Sequence, residues 1–190
     1  MIVKNLNNCK KRYQVIYADP AWQFGNKKTG GSMTSGASNQ YSVMSIDDLK
    51  NLPVEKIADE NCVLVMWWIG AMPQEAIDLV NAWGFTIKNM NGFVWRKLTV
   101  KGLPFFGMGF WTRAGSESAV IAVKGKAKPD NRGVRAVIEA RAGRHSEKPN
   151  VFRKEIVKLC GDIPRIELFS RMEVEGWDCW GNEIGRLKAE

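Results

Sequence analysis

Short apolar runs alternate along the chain with segments whose apolar residues recur at helical spacing. The short runs predict strands near residues 14–19, 62–69, 92–97, 118–124 and 165–170. Helical spacing, with Pro73 opening one segment and Gly161 closing another, predicts helices at 46–51, 73–83 and 150–160. Such alternation is typical of βαβ units. We therefore predict a single α/β domain over residues 1–190, with a mostly parallel sheet covered by helices on both faces.

Residues 25–40 interrupt this pattern with a stretch rich in Gly, Ser and Thr that has no apolar periodicity. The stretch closely follows the first predicted strand. In open α/β sheets, ligands bind beyond the carboxyl ends of the strands, so we predict a flexible loop that acts as a lid over a bound base or cofactor. A surface loop without function is the alternative.

Composition is ordinary for a folded domain, with 45% hydrophobic and 25% charged residues among 190. The longest apolar stretch, Cys62 to Gly70, is too short to span a bilayer, and no apolar signal core opens the chain. We therefore expect a cytoplasmic protein without a membrane partner.

The cysteines and the histidine exclude some chemistry. Cys9, Cys62, Cys160 and Cys179 are widely scattered, and His145 is the one histidine in the chain. This spacing matches neither a zinc site nor a disulfide framework, and it offers no clear base for a serine nucleophile. We therefore expect no metal site.

Charge adds a candidate partner. The formal net charge is +8 and the pI is about 9.4, which favours a polyanion. A basic segment, residues 124–148, holds much of this charge in Lys124, Lys126, Lys128, Arg132, Arg135, Arg141, Arg144 and Lys148. A solvated basic face is the alternative.

The tetrapeptide Asp19-Pro20-Ala21-Trp22 follows the first predicted strand and resembles the Asp-Pro-Pro-Trp signature of amino-group methyltransferases. Adenine's exocyclic amino group is a poor nucleophile, because its lone pair is delocalised into the ring. Asp19 and the Pro20 carbonyl oxygen can each accept one amino hydrogen, and Trp22 offers a flat surface for stacking. A plain strand-to-loop turn is the alternative.

Other motifs extend this resemblance from Val15 to Glu183. They span residues 17–22, 41–49, 63–68, 83–85, 93–96, 109–117, 123–125, 145–149, 166–171 and 177–183. In this order they resemble the adenine amino-methyltransferase family that contains the catalytic subunit of the eukaryotic messenger-RNA methylation complex and bacterial and phage DNA methyltransferases. The resemblance implies a Rossmann-like domain in permuted order, with the catalytic strand early and the S-adenosylmethionine strand late.

The resemblance also implies roles for individual residues. Catalysis falls to Asp19, Pro20, Ala21 and Trp22, and binding of the flipped adenine to Tyr41, Trp95, Glu117 and Lys148. Binding of S-adenosylmethionine falls to Asp19, Lys148, Arg171, Glu173, Asn182 and Glu183. Alternatives stay open for three of them, because Trp95 also suits a core, Lys148 a phosphate contact and Asn182 a helix cap.

Two departures from the family's pattern bear on these roles. Ala21 stands where the family has a second proline, which frees one backbone torsion and restores an N–H without removing an acceptor. Met172, Glu173 and Val174 stand where the family has a histidine-asparagine pair, so cofactor contacts there differ from the family's.

Together these features predict an S-adenosylmethionine-dependent methyltransferase that acts on a flipped adenine in DNA, in a bacterial or phage-infected cytoplasm. Residues 97–106 and 124–148 are the candidates for contacts with the target sequence. The same chemistry on RNA adenosine is the alternative within this class. A non-catalytic partner subunit and a generic nucleic-acid-binding domain are alternatives from other classes, and no feature indicates an oligomeric state.

Overall fold

The computed structural model describes residues 1–23, 44–109, 111–143, 147–182 and 184. Its strands are β1 (Tyr13–Ala18), β2 (Ala58–Trp68), β3 (Thr86–Leu98), β4 (Ser116–Lys124), β5 (Val137–Arg141), β6 (Arg165–Leu168) and β7 (Asp178–Trp180). Its α-helices are α1 (Ile46–Lys50), α2 (Val54–Ile57), α3 (Pro73–Ala82) and α4 (Val151–Cys160). In this part of the chain, no helix is long and apolar enough to cross a membrane.

The strands of the described residues form one seven-stranded sheet in the order β5-β3-β4-β2-β1-β6-β7. β4 pairs antiparallel with both β2 and β3, and every other pairing is parallel. The carboxyl ends of the other six strands and the amino end of β4 therefore meet at one edge of the sheet. This edge is where ligands bind in open α/β folds.

Two apolar cores cover the two faces of the sheet. On one face, α3 packs Ala76, Leu79 and Val80 against a cluster that includes Ile16 and Leu64. On the other face, α4 packs Phe152 and Ile156 against a second cluster, which includes Tyr17 and Trp67. Because β1 is buried on both faces, it is a nearly unbroken apolar run.

The structure confirms the predicted Rossmann-like α/β class, the five predicted strands and the three predicted helices. It adds α2, β5 and β7, and it extends β2 and β3 toward their amino ends. β7 has three residues, and β5 lies at the edge of the sheet with alternating exposure, so neither forms an apolar run. A permuted origin for this strand order stays a prediction.

The predicted lid, residues 25–40, lies outside the described residues. The residues on either side of it are joined by a parallel bridge between Trp22 and Met44. Met44 N–H also donates to the Ala21 carbonyl oxygen at 2.9 Å. The described residues that flank this segment are therefore held together at the carboxyl end of β1.

Candidate active site

A cavity of about 670 Å³ opens at the sheet edge where the carboxyl ends of the strands meet. Its walls come from the segments after β1, β2, β6 and β7, from the β3–β4 connection and from Lys148 before α4. Asp19, Pro20, Ala21 and Trp22 all line it. Its size suits a small molecule or a nucleoside-sized group.

The tetrapeptide turns sharply out of β1 and is anchored by its tryptophan. Trp22 is only 6% exposed, and its indole N–H donates to the Trp67 carbonyl oxygen at 3.2 Å. The Trp22 backbone N–H donates to the Pro20 carbonyl oxygen at 2.8 Å. That oxygen has a second lone pair, so it can still accept an amino hydrogen. Trp22 therefore fixes the turn and presents only a small surface to the cavity.

Charges of alternating sign run across the cavity from Asp19 to Lys97. Lys148 Nζ donates to Asp19 Oδ2 at 2.7 Å and lies 3.3 Å from Glu117 Oε2. Lys97 Nζ donates to the other oxygen of Glu117. β3, β4, the segment after β1 and the segment before α4 each contribute one member, so the fold brings together residues far apart in sequence.

Mutual stabilisation keeps Lys148 and Glu117 ionised in spite of burial. Burial disfavours the charge of Lys148, but Asp19 and Glu117 outweigh it and raise the pKa of Lys148 above its ordinary value. Burial likewise disfavours the charge of Glu117, but Lys148 and Lys97 lower its pKa below the ordinary value. Asp19 therefore faces an ammonium group that stays protonated near neutral pH.

A buried layer beneath the cavity supports these charges. The Lys148 ammonium lies 5.2 Å from the Trp67 ring centroid, and Trp67 Nε1 donates to the Tyr17 hydroxyl at 2.7 Å. Burial raises the pKa of Tyr17, so its hydroxyl stays neutral. Below it, Arg153 of α4 forms two hydrogen bonds of 2.7 Å with Glu167 of β6. This ion pair fastens α4, which follows Lys148 closely, to the sheet.

The segments after β6 and β7 form another wall of the cavity. Arg171 and Asn182 both line it, together with Phe169, Ser170, Trp180 and Gly181. A Cβ atom built on Gly181 would lie 2.3 Å from the Ser170 carbonyl oxygen. The two segments therefore touch backbone to backbone, which only glycine permits at this position.

Two residues expected to contact the adenine or the cofactor do not line the cavity. Trp95 does not line the cavity; it is 3% exposed, and its indole N–H donates to the Ala140 carbonyl oxygen at 2.9 Å. With the Lys97 ammonium 4.7 Å from its ring centroid, it supports that lysine from below. Glu173 is exposed and does not line the cavity either. Tyr41, His145 and Glu183 lie outside the described residues.

The basic segment 124–148 is split between the two ends of the sheet. Lys124 is the last residue of β4 and lies at the end of the sheet opposite the cavity. Its ammonium there lies 3.7 Å from a Glu55 carboxylate oxygen. β5 then runs parallel to β3 and brings Arg141 beside Leu98 on the cavity side. Within the described residues, the part that adjoins the site therefore begins near Arg141 and ends at Lys148.

The sequence placed Lys97 in the stretch 97–106 expected to contact the target sequence, not in the adenine site, and it placed Trp67 in a family motif without an assigned role. Trp67 lies in a strand predicted as core, and nothing in the local sequence shows that it also faces a lysine. Lys97 lies two residues after Trp95, on the same face of β3, and Trp95 pairs with Glu117 across the strands. The spacing of two residues between Trp95 and Lys97 along a predicted strand was the available signal that both side chains lie on one face.

A mostly parallel sheet with a cavity of alternating carboxylates and ammonium groups at the carboxyl ends of its strands fits a Rossmann-like methyltransferase. The chain belongs to the MT-A70 family, whose model matches residues 13–183. This confirms the resemblance to adenine amino-methyltransferases found in the sequence motifs. Methyltransferases of this family generally use S-adenosylmethionine as methyl donor.

Curated relatives extend over nearly the whole chain. It is 35% identical to "Type II methyltransferase M.MunI" from Mycoplasma sp., over 95% of this chain and 82% of that protein. It is 27% identical to the human "N(6)-adenine-specific methyltransferase METTL4", over 94% of this chain and 39% of that protein. It is 25% identical to the human "N(6)-adenosine-methyltransferase catalytic subunit METTL3", over 91% of this chain and 28% of that protein. The chain thus spans less than half the length of either human relative.

Proposed function

We propose that this protein transfers a methyl group from S-adenosylmethionine to the exocyclic amino group of an adenine flipped out of DNA. The position of Asp19 carries the proposal. Its carboxylate lies inside the cavity at the carboxyl end of β1, held 2.7 Å from the Lys148 ammonium. A carboxylate fixed in this way is a preorganised acceptor for an amino hydrogen.

The wall formed after β6 and β7 has side chains that suit S-adenosylmethionine. The Arg171 guanidinium suits a carboxylate, and the Asn182 amide suits ribose hydroxyls. Phe169 and Trp180, whose ring centroids lie 5.4 Å apart, offer apolar surface to an adenine ring. Bound there, the cofactor would supply a methyl group on a sulfonium whose positive charge complements Asp19.

The residues around Asp19 have distinct proposed roles toward the target amino group. Asp19 accepts one amino hydrogen while keeping its bond to Lys148, because a carboxylate offers about four lone-pair sites. The second lone pair of the Pro20 carbonyl oxygen accepts the other hydrogen. With S-adenosylmethionine bound, this arrangement would leave the nitrogen lone pair free to accept the methyl group in exchange for its bond to sulfur. Asp19 or water would then take the proton that the methylated nitrogen loses.

Glu117 and Lys148 are placed to hold the base itself. Glu117 lines the cavity from β4, between the ammonium groups of Lys97 and Lys148. Its carboxylate accepts hydrogen bonds only, whereas Lys148 donates them, so together they can bind both kinds of polar atom on a base edge. Trp95 acts through Lys97 as a positioning residue in this proposal.

DNA is favoured over RNA as the source of the adenine. The Mycoplasma relative, 82% of which aligns with this chain, is named as a type II methyltransferase. The net charge of +8 favours a polyanion but does not distinguish the two nucleic acids. RNA therefore stays the second arm of the test.

Incubating the protein with S-adenosylmethionine and mixed-sequence duplex DNA tests the proposal. Methylation-sensitive sequencing should find methyladenine at a defined set of sequences. A parallel reaction with RNA of the same sequences should incorporate less methyl group. Methylation of RNA alone would overturn the assignment to DNA. Isothermal titration that detects no binding of the cofactor would instead point to a non-catalytic partner subunit.

We expect Gly181→Ala to weaken cofactor binding at least about tenfold, because the added methyl group must push the segments after β6 and β7 apart. Isothermal titration with S-adenosylmethionine measures the change. Gly143→Ala is the matched control, since its new Cβ would have its nearest neighbour at 3.7 Å, an ordinary contact. Wild-type affinity in Gly181→Ala would show that this wall does not hold the cofactor.

A further inference from the structure

The β3–β4 connection, residues 99–115, exposes an unusual amount of apolar surface. We call it the aromatic loop; all of it is described except residue 110. Most of the large apolar side chains exposed in the described residues lie in this loop: Val100, Leu103, Phe105, Phe106, Met108 and Trp111. On a soluble protein, a concentration of exposed apolar surface often marks an interaction site.

The loop is folded in spite of its exposure. Phe105 N–H donates to the Lys97 carbonyl oxygen at 3.0 Å, and Gly107 N–H donates to the Ala114 carbonyl oxygen at 2.9 Å. A Cβ atom on Gly109 would lie 2.5 Å from the Thr112 carbonyl oxygen, so the backbone is tightly packed there. These contacts order the backbone of the loop, so the loop loses less freedom when it binds a partner.

Trp111 is the most unusual residue of the loop. Its φ is 63°, in the left-handed region that large side chains avoid, and its side chain is fully exposed. Packing within the described residues does not explain this conformation, since an exposed ring gains nothing from it. Strain at an exposed aromatic residue points to a binding role.

The loop also adjoins the cavity and is basic. Met108, Gly109, Thr112 and Ala114 line the cavity mouth on either side of Trp111. From Lys97 to Gly115 the sequence contains Lys97, Lys101 and Arg113 and no acidic residue. The Arg113 guanidinium lies 5.0 Å from the Phe106 ring centroid. Aromatic and cationic groups interleaved in this way suit stacked bases flanked by phosphates.

We infer that the aromatic loop inserts Trp111 into the base stack of duplex DNA beside the target adenine. This inference rests on the proposed function. An adenine that enters the cavity leaves a gap in the duplex and loses its stacking partners. A rigid, flat indole at the cavity mouth fills that gap, and Lys101 and Arg113 bind the flanking phosphates. Trp111 therefore lowers the cost of base flipping without taking part in methyl transfer.

A protein partner fits the loop less well. Protein interfaces are depleted of lysine, whereas this loop carries Lys101 and no acidic residue among its apolar side chains. Negative charge is what complements this surface, and the cavity beside it is the place proposed for a base. A second copy of the chain is nevertheless treated as a separate outcome of the test.

The test compares Trp111→Ala with wild type on two DNA substrates of the sequence identified by methylation mapping. One is the fully paired duplex, and the other has an abasic site opposite the target adenine, so that no base pair opposes flipping. We expect kcat/KM to fall about ten- to a hundredfold on the paired duplex and only a few-fold on the other. Trp111→Phe should restore most of the loss. Ile2→Ala, which truncates an exposed apolar side chain outside the aromatic loop and outside residues 124–148, should leave both values unchanged.

The outcomes separate this inference from the proposed function. If wild type methylates neither DNA, the proposed function is wrong and the role of Trp111 falls with it. If wild type is active and Trp111→Ala loses equal activity on both substrates, or none, the insertion of Trp111 alone is refuted. Light scattering on both proteins completes the test. A lower oligomeric mass in Trp111→Ala, with unchanged preference between the substrates, would assign the loop to contact between copies and refute insertion.

Discussion

We expect Asp19→Ala to lower kcat by about a thousandfold or more while S-adenosylmethionine binding stays measurable. In the proposed mechanism, the variant loses the acceptor that orients the target amino group and the negative charge that complements the sulfonium. Its fold should survive, because Lys148 keeps Glu117 at 3.3 Å as a partner. Single-turnover methylation of DNA measures the loss, and isothermal titration measures cofactor binding.

Asp47→Ala is the control for this experiment. Asp47 is an exposed carboxylate in α1 and does not line the cavity, so its removal should change kcat by about twofold at most. Methylation at the wild-type rate by Asp19→Ala would refute the catalytic role of the tetrapeptide. Loss of activity accompanied by loss of helical circular dichroism would instead show that Asp19 is needed for folding.

The sequence predicted the centre of the fold well because the centre is buried on both faces. β1 is a nearly unbroken apolar run and the carboxyl-terminal part of β2 is an unbroken one, and such runs are visible without knowing their neighbours. β5 lies at the sheet edge and carries Glu139, which pairs with Arg96 of β3. A charged, half-exposed strand of five residues looks like a loop until its pairing is known.

The residues of the site also differ in how well the sequence could predict them. Asp19 and Lys148 could be found because each lies in a contiguous motif. The ion pair between Glu117 and Lys97 could not be found, because it depends on the register between β3 and β4. The burial of Trp95 was equally hidden, since a tryptophan in a strand can face a core or a cavity, and only the neighbouring Ala140 carbonyl oxygen settles which.

We expect Arg153→Met to destabilise the fold by about 3–5 kcal/mol, because it leaves Glu167 as a buried carboxylate without its partner. Both side chains are about nine-tenths buried, and both hydrogen bonds between them are 2.7 Å. For a domain of this size, the loss lowers the Tm by about 10 °C or more. Thermal and urea unfolding, followed by circular dichroism, measure the change.

The double variant Arg153→Met/Glu167→Leu shows what causes this loss. With both charges replaced by apolar groups, no buried charge lacks a partner, so most of the stability should return. Methylation should nevertheless stay below the wild-type rate, because α4 would no longer be fastened to β6 and Lys148 would be held less firmly against Asp19. If the double variant is as unstable as Arg153→Met, the arginine stabilises α4 through packing of its stem and not through its charge. If it regains full activity as well as stability, the ion pair does not position Lys148, and the contacts of Lys148 with Asp19, Glu117 and Trp67 are sufficient to hold it.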